Sequence, residues 1–198
     1  MKLYFANTSP FARKVRMTVI EKDLSEQVEP VLTNPFERNP DLLTANPLHK
    51  VPTLVTSDGI AIHDSPVICE YLDTVGEGPS LFSSGQERWK LLTHAATCGG
   101  MLDALFHIVM ERRRPESEQS TMWKERWEGA FLDCVEAVSQ SSKDFEGPIN
   151  IAQLSLGAAL GYADFRTPDI DWRNKGRSLV GWFENFSERD AMKETFPE

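Results

Sequence analysis

The stretch from His49 to Leu72, HKVPTLVTSDGIAIHDSPVICEYL, leaves this chain few ways to fold. It holds two short apolar strand patterns, Val51 to Val55 and Ile60 to Ile62, separated by the turn residues Ser57, Asp58 and Gly59, which reads as a hairpin. Asp64, Ser65 and Pro66 then predict a helix start over 66–75. Ser65 can cap it, Pro66 lacks the N–H that would go unpaired in the first turn, and Asp64 stands beside the positive helix end. Val51-Pro52 opens the unit just before a strand, where proline fits at the strand's first residues, at an edge or in a cis turn. A cis bond would turn the N–H and C=O of Val51 outward, free to pair with an extended ligand as another strand would.

The preceding residues complete a small α/β unit. Lys2 to Ala6 is a short strand pattern ended by Asn7, Thr8, Ser9 and Pro10, and Ser9-Pro10 repeats the capping logic of Ser65-Pro66. The helix that follows puts Phe11, Val15 and Val19 on one face. Val28 to Leu32 is a second strand candidate, and the prolines at 35, 40 and 47 predict an irregular loop carrying one short helix. A strand, a crossover and a second strand make a parallel pair, to which the hairpin adds antiparallel strands. Gly76, Gly78, Pro79, Ser83, Ser84 and Gly85 break every periodicity, and the domain boundary is expected there, with domains over 1–78 and 86–198. The second half carries helical patterns over 86–113, 118–142, 150–165 and 172–189 and reads as an all-helical bundle.

Composition narrows the function. With 21 Lys and Arg against 30 Asp and Glu, a net charge of −9 argues against nucleic acid or an anionic membrane surface as a partner. No apolar run approaches the roughly 18 residues of a membrane helix, and the start does not read as a secretory signal, so a cytoplasmic protein is expected. Cys69, Cys98 and Cys134 are odd in number and set in helical patterns, which predicts packed thiols rather than disulfides or a zinc site. His49, His63, His94 and His107 are scattered, and no metal is expected. Phosphate loops, dinucleotide fingerprints and nucleophile elbows find no match.

Two capped helix starts remain, Ser9-Pro10 and Asp64-Ser65-Pro66, each following a strand. Helix N-termini bind anions and ligands gather outside strand ends, so the pair suits a ligand with two separated anionic groups and a peptide segment between them. The same serines also read simply as helix caps.

The motifs SPFARKVR from Ser9, NPLHKVPTL from Asn46 and DSPVICEYL from Asp64, and more weakly the helix from Asn150 to Arg166, resemble the cytosolic glutathione S-transferases of bacterial type. In that family a thioredoxin-like α/β domain precedes an all-α helical bundle. The resemblance implies glutathione as co-substrate, Ser9 as the hydroxyl bonded to its sulfur, and Val51 before a cis Pro52 as the backbone partner of the cysteinyl unit. It also implies Asp64 and Ser65 at the γ-glutamyl end and Lys50 at the glycyl carboxylate. A substrate pocket between the domains is expected near Phe11, His107, Met110 and Arg114. The implied activity is conjugation of the thiolate to small, largely apolar electrophiles in detoxification, by a homodimer. A glutathione-binding protein with little catalysis, or a glutathione-dependent peroxidase or reductase, are the alternatives. The implied chemistry is within reach. Lowering a thiol pKa by ~2 units takes ~2.7 kcal/mol, and a charge-assisted hydrogen bond supplies ~1.5–3. The chain departs from the family pattern at three places. His49 stands where glycine is frequent and predicts a shifted loop or a new polar contact. Gln153 replaces an aspartate and predicts a weaker capping box. Asp190-Ala191 replaces proline and serine and predicts a looser tail.

Overall fold

In the computed structural model, which describes residues 1–197, β1 (Lys2–Phe5) buries Leu3 and Phe5 on alternate positions and leads into α1 (Pro10–Glu21). β2 (Glu29–Leu32), α2 (Pro40–Ala45), β3 (Thr53–Val55), β4 (Ala61–His63) and α3 (Ser65–Val75) follow. The sheet order is β2-β1-β3-β4, with β1 parallel to β2, antiparallel to β3, and β3 antiparallel to β4. This is the thioredoxin-like arrangement. Gly59 turns the hairpin at φ 86, a value that favours glycine. The core of this unit joins Leu3, Leu54, Ala12, Val15, Ile68 and Leu72, so α1 and α3 cover the sheet.

Residues 83–188 form a second unit, built from helices. α4 (Glu87–Arg112) packs against both α5 (Thr121–Gln140) and α6 (Ile151–Arg166). α6 is buried along nearly its whole length, and Gly157, Ala158 and Ala159 keep it slim enough for helices to approach from several sides. The pattern over 172–189 is two helices, α7 (Trp172–Lys175) and α8 (Arg177–Ser187), not one. The break falls at Gly176, where a Cβ would lie 2.7 Å from Val135 Cγ1, so α5 leaves room for glycine alone.

The expected weakening at Gln153 does not occur. Asn150 Oδ1 accepts the N–H groups of Ala152 and Gln153, while Gln153 Oε1 accepts the Asn150 N–H at 3.0 Å. The amide then donates from Nε2 to the Phe145 carbonyl at 2.8 Å, a bond no carboxylate can make. Nor is the tail loose. From Arg189 onward the chain belongs with the first unit, where α9 (Asp190–Glu194) packs on α1 and buries Ala191, Met192 and Thr195. Arg189 forks onto Glu21 at 2.9 and 2.7 Å, and Arg13 and Arg16 donate to the Met192 and Glu194 carbonyls at the negative end of α9.

The connection that leaves the first unit is tied down by an ion pair. Lys22 Nζ lies 3.1 Å from Asp73 Oδ1, with the side chains 1% and 8% exposed, and donates to the Pro79 carbonyl at 3.0 Å. Asp73 accepts from the Ser80 hydroxyl and the Leu81 N–H. Burial pushes the Asp73 carboxyl up, but the Leu81 N–H, the Ser80 hydroxyl and the Lys22 ammonium outweigh it and hold it below the ordinary carboxylate range. Gly76 ends α3 in the same place, where a Cβ would stand 2.6 Å from Lys22 Cβ and 2.8 Å from its carbonyl.

Two outcomes are expected. Gly76→Ala destabilises the first unit by about 1–3 kcal/mol in denaturant titrations, since the methyl meets backbone rather than a movable side chain. Asp73 has a depressed pKa in the folded state, so it contributes stability above the unfolded carboxyl pKa of ~3.9 that is lost as pH falls through the folded value. Asp73→Asn is expected to lose on the order of 3 kcal/mol at pH 7 by leaving Lys22 buried and unpaired, and to flatten the acid limb of a stability–pH curve.

Candidate functional site

Register places the site. Tyr4 pairs with Thr53 and Thr53 with His63, so the end of β1, the start of β3 and the end of β4 lie side by side. Ser9 follows from β1, Val51 and Pro52 precede β3, and Asp64 and Ser65 follow β4. All three motifs therefore meet at one end of the sheet.

Ser9 is the N-cap of α1, with extended backbone at φ −82 and ψ 118 and Pro10 in the first turn. Its Oγ accepts the Ala12 N–H at 3.2 Å, and among the described residues the hydroxyl proton has no acceptor. A half-buried hydroxyl with one lone pair engaged by an N–H and its proton unassigned is a hydrogen-bond donor at a positive helix end.

The Val51–Pro52 bond is cis. Val51 is half-buried, and among the described residues neither its N–H nor its C=O is bonded. The loop that carries it hangs on Asn46, which is 1% exposed. Asn46 Nδ2 donates to the Lys50 carbonyl at 3.2 Å and to Thr53 Oγ1 at 3.0 Å, and its Oδ1 accepts the Leu48 N–H at 3.0 Å. Thr53 Oγ1 in turn donates to the Lys50 carbonyl at 2.8 Å. His49 takes φ 55, the region that makes glycine frequent there, and its Nε2 accepts the Asn39 N–H at 3.1 Å. The departure at 49 thus yields a polar contact that ties the loop to the cap of α2. The Lys50 side chain is exposed.

At α3 the capping expectation is corrected. Asp64, not Ser65, is the N-cap; its φ is 74, and its side chain makes no capping bond. Ser65 is already the first helical residue and 2% exposed. The reason is the tight exit from β4, which places the change of direction one residue earlier. Without a side-chain cap, the Ser65 and Val67 N–H groups at the start of α3 have no partner among the described residues, which leaves an anion-binding helix end.

The residues expected around a substrate fall in both units. Phe11 is half-buried in the first turn of α1. In the second unit, His107 is exposed on α4 and stacks on Trp127 with centroids 5.1 Å apart, and Trp127 stacks on Trp123 at 5.5 Å. Met110 is half-buried, and Arg114 lies past the end of α4, paired with Glu118 at 3.4 Å. Asn46 entered the sequence reading only as the first residue of a motif, with no role of its own, and Trp127 did not enter it. Asn46-Pro47 after a short helix is a turn signal that pointed to the first, whereas the aromatic stack on α5 carried no motif.

Cys69 is fully buried in α3, where the Thr18 hydroxyl donates to its Sγ at 3.2 Å and burial pushes its thiol pKa up. A buried thiol held in its neutral form is a poor nucleophile. Among the described residues no helix is long and apolar enough to cross a membrane, and no group of three or more His, Cys, Asp or Glu gathers as metal ligands would.

Comparison with known proteins agrees with this geometry. A family model described as the glutathione S-transferase N-terminal domain matches residues 8–75. The chain is 30% identical over 208 residues to the uncharacterized GST-like protein YibF of Escherichia coli K12, covering 100% of this chain and 98% of that one. Among solved structures, a glutathione transferase family member from Pseudomonas fluorescens Pf-5 with bound glutathione superposes with a TM-score of 0.95 at 30% identity, over 100% of this chain and 98% of that one. A glutathione S-transferase from Methylobacillus flagellatus KT with glutathione bound gives 0.91 at 30% identity, over 100% and 99%. On its sequence and its fold alike, the chain belongs to the glutathione S-transferase family.

Proposed function

We propose that the protein is a serine-type glutathione transferase, in which Ser9 holds the glutathione sulfur as thiolate for attack on a small, largely apolar electrophile. The observation that carries this reading is the Ser9 hydroxyl, bonded as acceptor to the Ala12 N–H and free as donor, at the same sheet end as the unbonded backbone of Val51. The cysteinyl unit of the tripeptide pairs with Val51 ahead of Pro52 as an added strand would. Its γ-glutamyl end takes the open N–H groups at the start of α3, beside Asp64 and Ser65, and Lys50 reaches for the glycyl carboxylate. Glutathione bound in the Pseudomonas fluorescens and Methylobacillus flagellatus relatives supports the ligand.

The chemistry needs no covalent enzyme intermediate. The Ser9 donor and the end of α1 stabilise the thiolate more than the thiol, and the sulfur then forms a bond to the electrophilic carbon while the leaving group departs or the double bond accepts the electron pair. Phe11, in the first turn of α1, is the candidate for contact with the electrophile. Thiol exchange is disfavoured by the burial of Cys69. The working form is a homodimer in the cytoplasm, with a role in detoxification; sedimentation as a monomer at micromolar concentration would remove the dimer from this reading.

Ser9→Ala is expected to leave glutathione affinity within about threefold, to raise the pKa of the bound thiol by about 1–2 units and to lower kcat/KM at neutral pH by roughly 10- to 100-fold. The ultraviolet thiolate band of bound glutathione, titrated over pH for both proteins, reads this directly. Tight binding with no band at any pH below the free thiol's pKa would instead identify a glutathione-binding protein of transferase fold.

A further inference from the structure

Arg13 lies one turn after Ser9 on α1, and its backbone N–H donates to the Ser9 carbonyl at 2.9 Å. It is 4% exposed, yet among the described residues no carboxylate meets it. Its Nη2 donates to the Met192 carbonyl at 3.0 Å, its Nε reaches Thr195 Oγ1 at 3.4 Å, and its Nη1 is buried with no acceptor among the described residues. The Phe196 ring closes over it at 5.7 Å. Arg112, Arg173 and Arg189, by contrast, each fork onto a carboxylate.

Among the described residues no carboxylate neutralises this charge. Of the elements packed against α1, α9 carries Asp190, Lys193 and Glu194, all exposed, and α3 has Asp64 and Glu70 exposed and Asp73 paired with Lys22. On its own helix, Arg16 and Lys14 are like-charged, and Glu21 is taken by Arg189. Burial, and then Arg16, lower the guanidinium to about 10, which still leaves it charged at neutral pH. A buried, unpaired charge is screened far less than an exposed or neutralised one, so it acts at longer range.

We infer that Arg13, kept dry by the segment from Arg189 to Phe196, is a positioning residue for the transferase reaction: it adds a fixed positive potential at the start of α1, where Ser9 holds the glutathione sulfur. This rests on the reading of Ser9 given above. Arg13 touches neither tripeptide nor electrophile and acts through the field at the cap. A unit charge on the order of 10 Å away, at an effective dielectric of ~20, moves a thiol by about one pH unit.

The test titrates the thiolate band of glutathione bound to the full-length wild type, Arg13→Lys, Arg13→Met, Ser9→Ala and the Ser9→Ala/Arg13→Met double variant. Arg13→Lys keeps the charge and loses the fork, whereas Arg13→Met loses both, and Arg13→Gln replaces it should the methionine variant fold poorly. The expected result is a thiol pKa raised by about one unit in Arg13→Met or Arg13→Gln and close to wild type in Arg13→Lys, with the shift adding to that of Ser9→Ala. Equal shifts in the lysine and neutral variants, tracking lost thermal stability, would overturn it by reducing Arg13 to a brace for the tail. An unchanged pKa in the neutral variants would overturn it as well. A wild type that binds glutathione without any displaced thiol pKa would instead defeat the transferase reading itself, and the role of Arg13 with it.

Discussion

The antiparallel register of β1, β3 and β4 is the constraint on which the rest of the first unit depends. Because Tyr4, Thr53 and His63 stand in one row across the sheet, three loops far apart in sequence must start from the same end. A slip of one residue would turn Leu54 out of the core and move Val51 to the other face. What holds the row is the burial of Leu3, Phe5 and Leu54 on one side, together with Asn46, whose amide bonds both the Lys50 carbonyl and Thr53. An unpartnered Asn46 would leave a buried amide, so the loop geometry ahead of Pro52 is fixed by the need to satisfy one polar side chain.

Much of this was legible in the residues. Ser9-Pro10 and the apolar alternation around Val51 and Ile60 foretold α1 and the hairpin, because caps, prolines and period-two patterns act locally. The exchange of roles between Asp64 and Ser65 was not legible, since it depends on the direction in which the chain leaves β4, and Asp64 adopts a positive φ that residue type alone only mildly favours. Gly176 tells the same lesson. The apolar period runs through it, and only the close approach of Val135 from α5 makes it a break. Gln153 looked like a loss when judged as an acceptor; its donor becomes visible only once the turn over Ser142–Phe145 brings the Phe145 carbonyl, also bonded by Trp182 Nε1, against it.

The tail shows the limit of reading segments one by one. The sequence after 188 continues a helical half, and nothing in Asp190-Ala191 marks it as belonging with the sheet. Part of its docking is to backbone: Arg13 and Arg16 bind carbonyls of α9, and such bonds place little demand on residue type. The first unit is thus closed by two polar clamps. The Lys22–Asp73 pair fixes the chain where it leaves, and Arg13 with Arg189 fixes it where it returns.

The two clamps are not equivalent electrostatically, and the difference bears on the proposed chemistry. Lys22 and Asp73 neutralise one another, so their field fades within a short distance. Among the described residues Arg13 meets only neutral acceptors, so its charge remains. A capping hydroxyl at an exposed helix end contributes ~0.3–1 kcal/mol through the dipole and ~1.5–3 through a charged hydrogen bond, against the ~2.7 needed for two pH units. Together these terms give ~1.8–4, which spans the need and falls short when both sit near their lower values. A cation buried one turn behind the cap relaxes the requirement, because it adds to the helix dipole in sign and direction without competing for the sulfur or the Ser9 proton. On the proposed reading, Arg13 adds its field to the Ser9 hydroxyl and the helix end only while the tail stays docked over it.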